Sequence, residues 1–175
     1  MESLKVSEAK KIVVKIGSSI IAEQDGSLNS EFLDSFAAQV KEQMDAGKKF
    51  ILVSSGAGAM GANTIAKWSR KEDLHYKQAL CAIGQVELMD SYRKAFDKHG
   101  IHIAQVLLTK EDFDSSQRTM NIRNTLFTLM DEGVIPIINE NDTVSTDEIK
   151  IGDNDILAST TAVVWGADLL VLLSR

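Results

Sequence analysis

The chain has 175 residues, 44% hydrophobic and 25% charged, which is enough for one domain with a buried core. A net charge of -6 and a pI near 5.1 argue against general attraction to nucleic acid or to an anionic membrane, so we expect a small-molecule partner, no nucleic acid and no membrane. The single cysteine, Cys81, excludes an intramolecular disulfide, and the absence of an apolar N-terminal signal segment favours a cytoplasmic protein.

Short apolar runs alternate with longer segments of helical spacing. The runs predict strands at 11–16, 49–53, 101–108, 134–138 and 168–173. The segments between them predict helices at about 30–46, 58–68, 76–98, 115–131 and 155–165. Because these strands are apolar throughout, both of their faces should be covered. We therefore predict an α/β fold, a mostly parallel open sheet with helices on both faces, as in an α/β/α sandwich.

No repeat, linker or low-complexity segment divides this pattern, so one domain is predicted over 1–175. The last predicted strand ends two residues before Arg175. Ligands of open α/β sheets bind beyond the carboxyl ends of strands, where a further loop would be expected. We therefore expect the chain to be the first part of a longer domain, with a sheet that is incomplete at its C-terminal end.

A glycine-rich stretch follows the second predicted strand. Gly56, Gly58 and Gly61 match the dinucleotide pattern G-x-G-x-x-G. That pattern also requires an acidic residue at the end of the next strand, and the run at 101–108 has none. A dinucleotide-dependent oxidoreductase is therefore the weaker interpretation. The stronger one is that backbone N–H groups of Ser55 to Ala57, at the start of a helix, bind a carboxylate or phosphate.

Lys15 lies near the end of the first predicted strand and is followed by Gly17 and Ser18. A lysine in this position is commonly a solvated surface residue. Beside glycine and serine N–H groups, however, a lysine also forms a recurrent phosphate-binding arrangement. Both interpretations remain open from these residues alone.

The segment 139–155 contains six carboxylates, three asparagines and one lysine between an apolar strand and an apolar helix. Asp142, Asp153 and Asp155 can bind an ammonium group, and the Asn154 amide offers both donors and an acceptor. Lys150 is a lone cation among these anions. The combination suits a small zwitterion better than a metal alone.

No metal-binding residues are predicted. The three histidines show no metal-ligand spacing with one another or with Cys81, which lies in an apolar helical segment. We interpret Cys81 as a small buried hydrophobic residue.

Six segments in order resemble the amino-acid kinase family and, within it, the kinases that phosphorylate glutamate. They are 14–19, 53–57, 107–109, 121–126, 134–142 and 149–155. The resemblance covers nearly the whole chain. It implies transfer of the ATP γ-phosphoryl group to the side-chain carboxylate of L-glutamate, the first step of proline biosynthesis, with ATP and Mg²⁺ as cofactors. A carboxylate is already ionised at neutral pH, so this reaction needs no general base.

The resemblance also implies a role for each matching residue. Lys15 would contact the transferring phosphate, Asp155 would orient the phosphate-contacting lysines, and Lys150 would assist binding or transfer. The substrate-binding positions are Ser55, Asp142, Asp153 and Asn154. The ATP-binding positions are Lys15, Gly17, Ser18 and Ser174.

The chain departs from the family pattern after its last predicted strand. Family members usually carry a Ser/Thr-Asp pair there, whereas this chain has Ser174 and Arg175. The later ATP-binding segments are expected beyond Arg175, so the chain is interpreted as the N-terminal, glutamate-binding part of the kinase domain. The alternative is a truncated, non-catalytic module that binds glutamate or proline. The resemblance further implies proline as a feedback inhibitor and a homo-oligomer.

Overall fold

Strands and helices alternate through the residues that the computed structural model describes, which are 5–65, 73–145 and 154–175. The strands are β1 Lys11–Ile16, β2 Lys49–Ser54, β3 Ile103–Leu108, β4 Ile135–Glu140 and β5 Leu169–Leu173. The helices are α1 Ser18–Ile21, α2 Ser30–Asp45, α3 Ala57–Ile65, α4 Leu74–Asp97, α5 Ser116–Asp131 and α6 Asp155–Trp165. Helix α1 was not predicted, because four residues are too few to show a helical period.

The strands form one parallel sheet in the order β3-β4-β2-β1-β5. All strands therefore end at the same edge of the sheet, which we call the carboxyl edge. Strand β1 lies between β2 and β5, and near its end Lys15 is in register with Val53 and Leu172. The predicted α/β fold with a parallel sheet is confirmed.

Helices cover both faces of the sheet, and a separate apolar core lies between each face and its helices. Ile12, Val14 and Ile16 of β1 belong to the core beneath α2 and α4. Val13, between them, belongs to the opposite core with residues of α5 and α6, including Trp165. Because side chains alternate along a strand, Lys15 lies on the same face as Val13, which is the face covered by α6.

Helices α3 and α4 are in backbone contact through two glycines. A Cβ on Gly61 would lie 1.9 Å from the Leu80 carbonyl oxygen, and one on Gly84 would lie 1.6 Å from the Ala57 carbonyl oxygen. No larger residue fits at such distances. Gly61, the third glycine of the G-x-G-x-x-G stretch, is therefore needed for helix packing. This requirement accounts for the glycine at that position without any dinucleotide binding.

Candidate active site at the carboxyl edge of the sheet

Lys15 is a buried lysine, with 4% of its surface exposed. Its ammonium nitrogen lies 2.7 Å from a carboxylate oxygen of Asp155. Asp155 is the first residue of α6, where the positive end of the helix dipole favours a negative charge. The pair therefore fixes a positive charge at the end of β1, and the alternative of a solvated surface lysine is wrong.

Gly17 joins the end of β1 to the end of β5. Its N–H donates to the Leu173 carbonyl at 2.9 Å, so this N–H is engaged between strand ends and the phosphate-binding role predicted for it is wrong. A Cβ at this position would lie 3.1 Å from that carbonyl oxygen, 3.8 Å from the Lys15 ammonium nitrogen and 3.9 Å from the Ser174 Cα. Three of the predicted ATP-binding residues are thus brought together, with the fourth, half-buried Ser18, next in the chain.

The end of β2 is a pair of buried serines. The Ser54 hydroxyl donates to the Ser55 carbonyl at 3.1 Å and accepts from the Tyr92 hydroxyl at 2.8 Å. The Ser55 N–H donates to the Ile16 carbonyl at 3.0 Å. This N–H is therefore engaged between strands, and the anion-binding role predicted for it is wrong. Ser55 itself does lie at the carboxyl edge, as the substrate-binding prediction requires.

The Asn154 amide connects three elements. Its Nδ2 donates to the Ser54 carbonyl at 3.1 Å and to Asn139 Oδ1 at 2.8 Å, so the start of α6 is bonded to the ends of β2 and β4. Asn139 in turn donates to Gln85 Oε1 of α4 at 2.8 Å. Sequence reasoning assigned no role to Ser54, Gln85 or Asn139 individually. No spacing in the sequence could have indicated them, since Asn154 and Ser54 are 100 positions apart.

Asp142 follows β4 and is hydrogen-bonded to Cys81 of α4. Burial raises the pKa of the Asp142 carboxyl above its ordinary value, and the hydrogen bond from the thiol opposes this effect. Burial, together with the Asp142 charge and hydrogen bond, raises the pKa of the Cys81 thiol to about 12. Cys81 is buried as predicted, but its contact with a candidate substrate-binding carboxylate was not predicted.

Two of the predicted site residues, Lys150 and Asp153, lie outside the described residues. Within the described ranges, no three His, Cys, Asp or Glu side chains are grouped so that they could hold a metal ion. Over the same ranges, no helix has the length and apolar character needed to cross a membrane.

The amino acid kinase family profile matches residues 10–175. Curated proteins named glutamate 5-kinase from Alkaliphilus metalliredigens and Alkaliphilus oremlandii are 58% and 57% identical to the chain over 169 residues. In both cases the match covers 97% of this chain and 64% of the relative. A glutamate 5-kinase from Thermotoga maritima is 46% identical, over 94% of this chain and 46% of its own length. The chain therefore spans less than two thirds of the length of these relatives.

Solved structures share the fold at low sequence identity. A carbamate kinase from Giardia superposes with a TM-score of 0.64 at 16% identity, covering 94% of this chain and 72% of its own. A UMP kinase from Ureaplasma parvum superposes with a TM-score of 0.62 at 14% identity, covering 95% and 69%. At this level of identity, the similarities show the arrangement of strands and helices and no more.

Proposed function

The chain belongs to the amino acid kinase family, and we propose that it forms the amino-terminal, glutamate-binding part of a glutamate 5-kinase. The whole protein would transfer the γ-phosphoryl group of ATP to the side-chain carboxylate of L-glutamate and release glutamyl 5-phosphate, for proline synthesis. The support is the similarity to relatives that bear this name, together with the geometry at the start of α6.

The observation that carries the proposal is the divergence of two adjacent side chains. The Asn154 amide bonds to the ends of β2 and β4, whereas the Asp155 carboxylate pairs with Lys15 of β1. The resemblance assigns glutamate to the first group of strand ends and the transferring phosphate to Lys15. The start of α6 would thus place the glutamate site beside the phosphate site, as phosphoryl transfer to glutamate requires.

The proposed reaction needs charge neutralisation and alignment, with no proton transfer. A carboxylate oxygen of glutamate attacks the γ-phosphorus, the bond from phosphorus to the β,γ-bridging oxygen breaks, and ADP leaves. The attacking carboxylate is ionised at neutral pH, so no base is involved. The Lys15 ammonium would stabilise the charge on the transferring group, and Asp155 would hold that ammonium in place.

The amino-acid end of glutamate would be bound by acceptors at the carboxyl edge. We assign its ammonium group to the Asp142 carboxylate, with Ser55, Asn154 and, by resemblance, Asp153 completing the site. Lys150 would assist binding or transfer. Proline also carries an α-carboxylate and an α-ammonium group, the latter within its ring, so it is proposed as a ligand of the same acceptors and as a feedback inhibitor.

Lys15, Gly17, Ser18 and Ser174 are proposed to contact the phosphates of ATP. The close approach of Gly17 to the Lys15 ammonium fits this role, because a side chain at position 17 would occupy the space beside the cation. When bound, Mg²⁺ would neutralise phosphate charge. No described residue is assigned to it.

The test is acceptor-dependent product formation by the full-length protein. With Mg-ATP, L-glutamate and hydroxylamine, the activated carboxylate should be trapped as the hydroxamate, and L-aspartate in place of glutamate should give little product. A folded protein that binds ATP but forms no hydroxamate would contradict the kinase assignment. Calorimetric binding of glutamate or proline by that inactive protein would instead identify the non-catalytic module.

A further inference from the structure

Four side-chain amides form a hydrogen-bonded chain from an outer strand to the candidate active site. Gln85 of α4 donates to Gln105 of β3 at 3.0 Å, and Asn139 donates to Gln85 at 2.8 Å. Asn154 donates to Asn139 at 2.8 Å. Asn139 and Asn154 are only 4% and 8% exposed, so their amide groups depend on protein partners rather than on bulk water. We call these residues the amide chain.

Two backbone groups fix the orientation of the buried amides. The Glu140 N–H donates to Asn139 Oδ1 at 2.8 Å, so a reversed Asn139 amide would place two donors against each other. The Ser54 carbonyl accepts from Asn154 Nδ2 at 3.1 Å, so a reversed Asn154 amide would place two oxygens against each other. Backbone groups cannot exchange donor and acceptor roles. The Glu140 N–H and the Ser54 carbonyl therefore each allow only one orientation of the amide that they contact.

We propose that Asn139 and Gln85 are positioning residues that hold Asn154 with its Oδ1 directed to the bound amino acid. Asn154 Nδ2 already donates to two oxygens, and its Oδ1 does not cap α6. Because this oxygen can only accept, it binds the ammonium group of an amino acid and disfavours a carboxylate at the same point. The inference rests on the proposed function in that Asn154 contacts the substrate.

Substitutions along the amide chain should affect glutamate binding in a graded way. Asn139→Leu removes the acceptor of one Asn154 N–H, and the KM for glutamate should rise roughly 3- to 10-fold. Gln85→Met acts one residue further away and should give a smaller rise. Gln85→Glu retains an acceptor for Asn139, so the KM for glutamate in this variant should stay near that of the wild type.

Steady-state kinetics of the full-length protein separates a specific effect on glutamate binding from a general loss of structure. Glutamate KM should rise in N139L and Q85M while the KM for ATP stays unchanged. The matched control is Gln117→Met on α5, an exposed glutamine whose amide donates to Oδ1 of the likewise exposed Asn121. An unchanged glutamate KM in N139L, or equal rises for glutamate and ATP, would overturn the proposal.

A second measurement does not depend on catalysis. In protein labelled with ¹⁵N-asparagine, the side-chain amide protons of Asn154, assigned by their loss in Asn154→Asp, should exchange slowly with solvent. They should exchange faster in N139L. Wild-type exchange as fast as that of exposed Asn121 would refute the fixed orientation. Slow exchange in a protein without kinase activity would support the amide orientation while rejecting the proposed function.

Discussion

The Lys15 ammonium lies 2.7 Å from the Asp155 carboxylate, yet the two side chains are 5% and 51% exposed. The lysine therefore depends on the aspartate far more than the reverse. Removing the carboxylate would leave a cation buried at the end of β1 without this partner, whereas a half-exposed carboxylate is readily hydrated.

Asp155→Asn should lower both stability and turnover. We expect the free energy of unfolding to fall by about 1–3 kcal/mol, because a buried charge loses its neutralising partner. The kcat for hydroxamate formation should fall roughly 10²-fold, because the ammonium is no longer held in position. Urea unfolding and steady-state kinetics measure the two effects. Asp131→Asn, at an exposed site on α5, is the control, and an Asp155→Asn protein that behaves like it would remove the pair from the mechanism.

Asp142→Asn should stabilise the unliganded protein at neutral pH. Burial raises the pKa of this carboxyl, so the folded state binds its proton more tightly than the unfolded state does. The stability that it contributes is therefore complete below the unfolded pKa and is lost as the pH rises through the raised folded pKa. The difference in Tm between D142N and wild type should be positive at pH 7 and shrink as the pH is lowered. A Tm difference that does not vary with pH would contradict this assignment.

The same substitution should weaken glutamate binding selectively. Loss of the charge pair with the substrate ammonium should cost at least about 2 kcal/mol, a rise of roughly 30-fold in the KM for glutamate. The KM for ATP should not change. If the KM for glutamate stays within a factor of about two, Asp142 does not contact the ammonium group.

Gly84→Ala should disrupt the contact between α3 and α4. The added Cβ would lie 1.6 Å from the Ala57 carbonyl oxygen, and backbone cannot move aside as a side chain can. We expect a loss of about 3 kcal/mol or more, at or above the upper end of ordinary overpacking. Glu87→Ala, at an exposed position of the same helix, is the control in thermal unfolding. Equal Tm values for the two variants would mean that the helices are not in backbone contact.

Tyr92→Phe should show whether the buried hydroxyl pair supports the end of β2. The Tyr92 hydroxyl donates to Ser54 Oγ at 2.8 Å, and Ser54 precedes the candidate substrate-binding Ser55. Losing one buried neutral hydrogen bond should cost about 1 kcal/mol of stability. Because the Ser54 carbonyl still holds Asn154, the KM for glutamate should rise less than in Asp142→Asn. A rise in the KM for glutamate as large as that in Asp142→Asn would contradict this purely supporting role.

The sequence predicted the elements well and the glycine-rich stretch poorly. Strand β1 was predicted at its observed limits, and β3 begins only two residues later than predicted. The match of Gly56 to Gly61 to a dinucleotide pattern, however, reflects a tight turn and a helix contact. Gly56 has a φ of 105°, and a Cβ on it would lie 2.6 Å from Ile21 Cγ2. A motif states which residues are small but not which neighbour requires them to be small.

The apolar runs, the helical spacing and the charged segment 139–155 are local properties, so the sequence by itself determined the α/β fold, the order of helices and strands, and the position of the acidic segment. Only the tertiary structure decided which side chains meet. Lys15 pairs with Asp155 because β1 turns that side chain toward α6, and Asn154 reaches Ser54 across 100 positions because β1, β2 and β4 end at one edge. Strand order brings such residues together, and no spacing along the chain encodes it.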